Sequence, residues 1–75
     1  MPPLPVLSGQ VILRAFERLG WTYARRKGSH MVMTKPGNPA NLSIPDHKEV
    51  DAGTLRDIIR VSGIDAVTFL RAAKK

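Results

Sequence analysis

Residues 21–35 read WTYARRKGSHMVMTK, and they contain the clearest strand and turn signals of the chain. Residues 21–26 and 30–35 are rich in aromatic, β-branched and alternating apolar residues, which favour strands. Between them, residues 27–29 predict a tight turn, because Gly28 can take the positive φ that hairpin turns demand. The stretch therefore predicts an antiparallel β-hairpin.

Alternation along the hairpin predicts which side chains face the core. In the second strand, Met31 and Met33 read as core residues, which puts His30, Val32 and Thr34 on the other, open face. In the first strand, alternation groups the side chains in two pairs. Trp21 and Tyr23 fall on one side as packing residues, and Thr22 and Ala24 fall on the other.

A second turn and a third strand are predicted after the hairpin. Residues 36–39, Pro-Gly-Asn-Pro, read as a turn throughout, and residues 41–44 predict a short third strand. Residues 45–50 then form a polar loop. Strands joined by such short turns pair as an antiparallel meander.

Three amphipathic patterns predict helices around the sheet. Ser8 can cap the first helix, which ends at Gly20. The second covers about residues 52–62 before Gly63, and Asp65 can cap a short third helix. The order α-β-β-β-α with a trailing α predicts an α+β fold. In it, a three-stranded antiparallel sheet has helices packed on one face.

The length and composition fit a single domain. We expect an extended, proline-rich lead-in at residues 1–7, the domain at 8–73 and a basic tail at 74–75. The absence of cysteines fits a reducing cytoplasm. No signal peptide is evident, and no segment approaches the ~20 apolar residues of a membrane helix. The sequence therefore predicts a soluble, cytoplasmic protein.

The charge favours a polyanionic partner. Twelve basic residues against six acidic ones give a net charge of +6. This charge can serve solubility alone, or it can bind nucleic acid or an acidic protein surface, and we favour binding in so short a chain. A membrane surface fits poorly, because no helix combines a basic face with aromatic anchors. Specific DNA reading is not expected either, because the second helix lacks a following recognition helix.

The basic run that leads into His30 is the main candidate site. Histidine can give or take a proton near neutral pH, and guanidinium and ammonium groups bind phosphates. As a general base, His30 can remove the proton from an RNA 2′-hydroxyl, and nearby cations stabilise the charge on the phosphate. His47 is a possible secondary acid. The residues that we expect to bind RNA or its phosphates are Arg25, Arg26, Lys27, Gly28, Ser29 and Lys35.

Structural interpretations compete with these roles. His30 can be a polar residue of an edge strand with no task, and Gly28 can serve only to shape the hairpin. The acidic loop with Asp46, Glu49 and Asp51 contains oxygen ligands for a hard cation. Its carboxylates also suit the start of the second helix, where they interact favourably with the helix dipole. We prefer the second explanation and expect no metal ion and no cofactor.

Several segments together resemble the HicA toxin family. They are Gly28-Ser29-His30 opening the second strand, Pro45-Asp46-His47 after the third, residues 53–64 at the second helix, and Arg18-Leu19-Gly20-Trp21. The resemblance covers the chain from about Ser8 to Leu70. It implies a fold like the double-stranded-RNA-binding domain, an mRNA-cleaving activity (an mRNA interferase) and a cognate HicB-type antitoxin. It also implies that the histidine of the Gly-Ser-His triplet is catalytic.

The residues and the resemblance together predict a toxin of a type II toxin–antitoxin system. It would be a metal-independent endoribonuclease that cleaves mRNA, with His30 as general acid/base. The alternative is a non-catalytic RNA-binding module of the same fold. A third possibility is a small basic partner of an acidic protein, with RNA binding incidental. We expect the antitoxin to cover His30 and the basic hairpin by presenting carboxylates to Arg25, Arg26 or Lys27.

Overall fold

A computed structural model describes residues 3–74 of the chain. The elements within that range are α1 (Gly9–Arg18), β1 (Thr22–Lys27), β2 (His30–Lys35), β3 (Asn38–Pro45), α2 (Ala52–Ser62) and α3 (Ala66–Ala73). Met1 and Pro2 of the predicted lead-in, and Lys75 of the predicted tail, lie outside the described residues. No helix in residues 3–74 is long and apolar enough to cross a membrane.

The three strands of residues 3–74 form one antiparallel sheet in the order β1-β2-β3. Met31 and Met33 of β2 are buried together with Leu42 and Ile44 of β3, in a core to which all three helices contribute. Val32 is only 7% exposed but does not belong to that core, as expected for a residue on the opposite face. The predicted α+β order, with helices on one face, is confirmed.

The third strand is longer than the predicted 41–44. The turn that precedes it contains only Pro36 and Gly37, and Lys35 already pairs with Asn38. Gly37 has a φ of +81°, so a two-residue turn is enough to reverse the chain. The Asn38 side chain accepts a hydrogen bond from the Ala40 backbone at 2.9 Å, which steadies the start of the strand.

A β-bulge corrects the predicted alternation of β1. Tyr23 is opposite Met33, but the next pair is Arg25 with Val32, so Ala24 is an extra residue in β1. The alternation of side chains therefore shifts by one residue at the bulge, so that Tyr23 and Arg25 lie on opposite faces of the sheet. Tyr23 is also not buried as a packing residue, since it is 43% exposed.

Side-chain caps begin all three helices; the caps Ser8 and Asp65 confirm the prediction, while the cap by Asp51 was not predicted. Ser8 accepts a hydrogen bond from the Val11 backbone at 3.1 Å, and the carboxylates of Asp51 and Asp65 do the same for α2 and α3. Gly20 and Gly63 follow α1 and α2 with positive φ. The bounds of α2 match the predicted 52–62.

The helices meet the sheet through an aromatic cluster. The Phe16 ring lies 5.1 Å from that of Phe69 and 6.3 Å from that of Trp21, centroid to centroid. Trp21 is buried as predicted, and its Nε1 has no hydrogen-bond partner within residues 3–74. The Arg18 side chain donates to the Ala72 carbonyl at 2.8 Å and so joins α1 to the end of α3. The helical layer therefore covers one face of the sheet and leaves the other to solvent.

Candidate functional site

His30 is the first residue of β2 and lies on the open face of the sheet. It pairs with Lys27 of β1 and with Pro45 of β3, so strands flank it on both sides. The residue is exposed, in contrast to the next residue, Met31, which faces the core. A strand fixes its backbone, while its imidazole remains accessible to a large substrate.

One ring nitrogen of His30 is held by Ser43. Nδ1 of the imidazole lies 3.1 Å from Oγ of Ser43, within hydrogen-bond distance. Ser43 is on β3 opposite Val32, so its side chain is on the same face as His30 and diagonal to it. The other nitrogen, Nε2, is therefore the one left for a substrate.

Sequence reasoning did not identify Ser43. Alternation with Leu42 and Ile44 places it on the open face, and this signal was available in the sequence. Its alignment with His30 depends on the β2–β3 register, which shifts between Met33 and Lys35 and is therefore not the one at the Pro36-Gly37 turn.

The bulge in β1 divides the basic run between two faces. Arg25 is opposite Val32, and Lys27 is opposite His30, so both are on the open face and both are exposed. Arg26 is opposite Met31 and is therefore on the helical side. Arg25 and Lys27 are thus the two residues of the run that share a face with His30.

Arg26 is engaged in an ion pair. Its guanidinium contacts the carboxylate of Asp46, in the loop after β3. The other oxygen of Asp46 accepts a hydrogen bond from Gln10 of α1 at 3.1 Å. These contacts connect β1, the loop and α1, and they use the charge of Arg26 within the protein.

The turn at Gly28-Ser29 is both open and anchored. Gly28 has a φ of +62°, as predicted, and no atom lies within 4 Å of where its Cβ would be. The Ser29 carbonyl accepts a hydrogen bond from the Asp46 backbone at 2.8 Å. A backbone such as that of RNA can approach the turn on the side of Gly28 without a steric clash.

Lys35 is not near His30. It ends β2, and five steps of about 3.3 Å along the strand place it about 16 Å from His30. Its ammonium group donates to the Leu19 carbonyl at 3.3 Å, near the end of α1. The structure therefore does not bring Lys35 together with the other predicted phosphate ligands.

His47 lies in the loop that passes the hairpin turn. Its backbone carbonyl accepts a hydrogen bond from Gly9 at 2.9 Å, and the preceding residue, Asp46, is bonded to Ser29. The His47 residue itself is exposed. The loop is thus fixed between α1 and the hairpin, on the side of the sheet where β2 begins.

The open face combines an accessible imidazole, two cations and an uncrowded turn. The imidazole can transfer a proton, and the cations can neutralise charge that develops on a bound phosphate. All of these groups are exposed in the described part of the chain, so a long polyanion can reach them without a conformational change. This arrangement suits a phosphodiester better than a small molecule, which needs an enclosed pocket.

A comparison with protein families identifies a match that covers most of the chain. A family model described as the HicA toxin of bacterial toxin–antitoxin matches residues 9–64. That range begins at the first residue of α1 and includes the entire sheet and α2. No curated protein matches the chain.

Proposed function

Since the chain belongs to the HicA toxin family of toxin–antitoxin systems, we propose that it is a metal-independent endoribonuclease that cleaves mRNA, with His30 as general acid/base. Because mRNA is the proposed substrate, we propose that the protein acts in the cytoplasm. The observation that carries the proposal is the position of His30: exposed on the open face and bonded through Nδ1 to Ser43. Arg25 and Lys27 share that face.

The proposed reaction begins with proton transfer to His30. Nε2 takes the proton of a 2′-hydroxyl, and the oxygen attacks the adjacent phosphorus while the bond to the 5′-oxygen breaks. The leaving 5′-oxygen takes up a proton, for which His47 is our candidate donor. The products are a 2′,3′-cyclic phosphate and a 5′-hydroxyl, and the charge that builds on the phosphate oxygens is stabilised by Arg25 and Lys27.

Family membership implies a cognate antitoxin. We propose that it is a HicB-type protein that covers His30 and the basic hairpin. Arg25 and Lys27 are the natural targets for its carboxylates, because Arg26 already pairs with Asp46. A complex that left His30 open to solvent would contradict this proposal.

The first experiment separates cleavage from binding. The wild-type protein, His30→Ala and His47→Ala are incubated with a long RNA in EDTA, and the cut ends are analysed. We expect the wild-type protein to cleave and to leave 2′,3′-cyclic phosphates. His30→Ala should lose cleavage by about 100-fold or more but keep its RNA affinity, because general acid–base catalysis contributes about 10²–10⁴-fold.

Other outcomes would reject parts of the proposal. Equal cleavage by the wild-type protein and His30→Ala would exclude His30 as the base. Unchanged cleavage by His47→Ala would exclude that residue as the acid. If the wild-type protein and His30→Ala both bound RNA and neither cleaved it, the alternative of a non-catalytic RNA-binding module would be favoured.

A further inference from the structure

We propose that Ser43 is a positioning residue for His30. Its hydroxyl oxygen accepts a hydrogen bond from the protonated Nδ1 of the ring. Nε2 is then unprotonated and directed toward the substrate. This inference rests on the proposed function, because it assigns the base to one atom of the ring. It also makes a statement about the resting protein that does not depend on RNA.

The backbone places the hydroxyl with little freedom. Ser43 lies in the interior of β3, and the β2–β3 ladder continues on both sides of it, through Leu42–Met33 and Ile44–Met31. These four flanking residues are buried in the core, so β3 is anchored on both sides of Ser43. A serine has one side-chain torsion, which makes its hydroxyl inexpensive to order.

The chemistry decides the direction of the hydrogen bond. A serine hydroxyl can donate or accept, whereas a neutral imidazole has one nitrogen of each kind. If Ser43 donated to Nδ1, the proton of His30 would be on Nε2, and that atom could not act as a base. The base role therefore requires that Nδ1 donates to Ser43 in the resting state.

The same bond persists after proton transfer. In the imidazolium both nitrogens are donors, so Nδ1 still donates to Ser43 while Nε2 carries the proton taken from the substrate. The ring does not need to turn during the reaction. An acceptor that is already in place costs no reorganisation at the moment when charge develops.

The tautomer can be measured in the free protein. Nitrogen-15 NMR of the imidazoles, at a pH where His30 is neutral, shows which ring nitrogen carries the proton. The chain has two histidines, so His47→Gln assigns the signals of His30. We expect the Nδ1-protonated form in the wild-type protein and in Ser43→Thr, and a shift toward the Nε2-protonated form in Ser43→Ala.

Asn41→Ala is the matched control for the tautomer. Asn41 is exposed and lies two residues before Ser43 in the same strand, so its substitution should leave the wild-type signals of His30 unchanged. An Nε2-protonated His30 in the wild-type protein would overturn the proposal. Identical signals in the wild-type protein and Ser43→Ala would also overturn it.

Cleavage assays provide a second measurement. A misplaced catalytic group can cost about 100-fold in rate, so we expect a loss of up to that size in Ser43→Ala and recovery in Ser43→Thr. If the wild-type protein showed no cleavage but its His30 had the expected tautomer, the proposed function would fail while the role of Ser43 in positioning the ring would stand. If cleavage were normal in Ser43→Ala, the catalytic importance of Ser43 would be rejected.

Discussion

Arg25, Arg26 and Lys27 are consecutive in the chain, but their positions in the sheet give them different chemistry. Arg25 and Lys27 are exposed on the face of His30, whereas the charge of Arg26 is paired with Asp46. A free cation can neutralise a phosphate and release its counterions. A paired one would first have to leave its carboxylate.

Substitution of each arginine by alanine should therefore affect RNA binding differently. Measured by fluorescence anisotropy in a His30→Ala background, Arg25→Ala should weaken binding and reduce the salt slope of log K by about 0.7–1. Arg26→Ala should change the salt slope much less. It should instead lower the free energy of unfolding by about 0.2–1 kcal/mol, because its ion pair with Asp46 is partly exposed.

Arg56→Ala is the control for loss of one charge. Arg56 is exposed on α2, in the helical layer, so its removal tests the long-range effect of net charge without changing the open face. Equal slopes for Arg25→Ala and Arg26→Ala would contradict the division of the basic run by the bulge.

At the scale of elements, the N-terminus of α1 fixes the loop that flanks the site. Gly9 donates to the His47 carbonyl, and Leu7 and Val50 form a β-bridge on the other side of this contact. Gln10 adds its hydrogen bond to Asp46. The loop is thus tied to a helix that is itself packed on α3.

Gly9→Ala tests how closely α1 and the loop are packed. A Cβ on Gly9 would overlap the backbone carbonyl of Pro45, so α1 and β3 would have to move apart. We expect Gly9→Ala to lower the free energy of unfolding, measured with urea, by about 1–3 kcal/mol, the usual cost of overpacking. Gly53→Ala is the comparison, because its Cβ would meet only the Asp51 side chain. The free energy of unfolding of Gly53→Ala should differ from that of the wild-type protein by no more than about 1 kcal/mol. A neutral Gly9→Ala would show that the two elements separate easily.

The helix caps predict how stability depends on pH. Hydrogen bonds from Thr54 lower the pKa of Asp51, and those from Thr68 lower the pKa of Asp65, both from an ordinary value of 3.8. Because the pKa is lower in the folded state, their stabilisation is complete above the unfolded pKa. It is lost as the pH falls through the folded pKa.

We therefore expect the double variant Asp51→Asn/Asp65→Asn to lose less stability than the wild-type protein as the pH falls below 5. Asparagine also caps helices, so the variant should remain folded at neutral pH. The measurement is the free energy of urea unfolding against pH. Asp57→Asn, which removes a carboxylate that caps no helix, controls for net charge. Parallel curves for the double variant and the wild-type protein would contradict this account.

At the scale of the whole molecule, local signals in the sequence were enough for the architecture. Gly28 marks the first hairpin, and the caps Ser8 and Asp65 mark the starts of the first and third helices, because each acts on backbone groups only a few residues away. The open face of β2 followed from the alternation of its two methionines. The order of elements then left few ways to cover one face of a three-stranded meander.

The parts that were missed depend on pairing between distant segments. The bulge at Ala24 exists only relative to β2, so alternation within β1 cannot predict the faces of Arg25 and Arg26. The contact of Arg26 with Asp46 joins residues 20 positions apart, and that of His30 with Ser43 joins residues 13 apart. Neither contact has a local sequence signal, because each joins segments that are distant in the chain.

The exposed strand β1 also has a consequence for handling the protein. It lies at one edge of the sheet formed by the described residues, and all six of its residues are exposed. Such an edge can pair with an edge of another copy, and charged side chains are a common protection against aggregation by that route. We therefore expect Arg25, Arg26 and Lys27 also to oppose pairing between copies of the chain. An inactive form for structural work is better made at His30 than by neutralising these three residues, which would leave the edge unprotected.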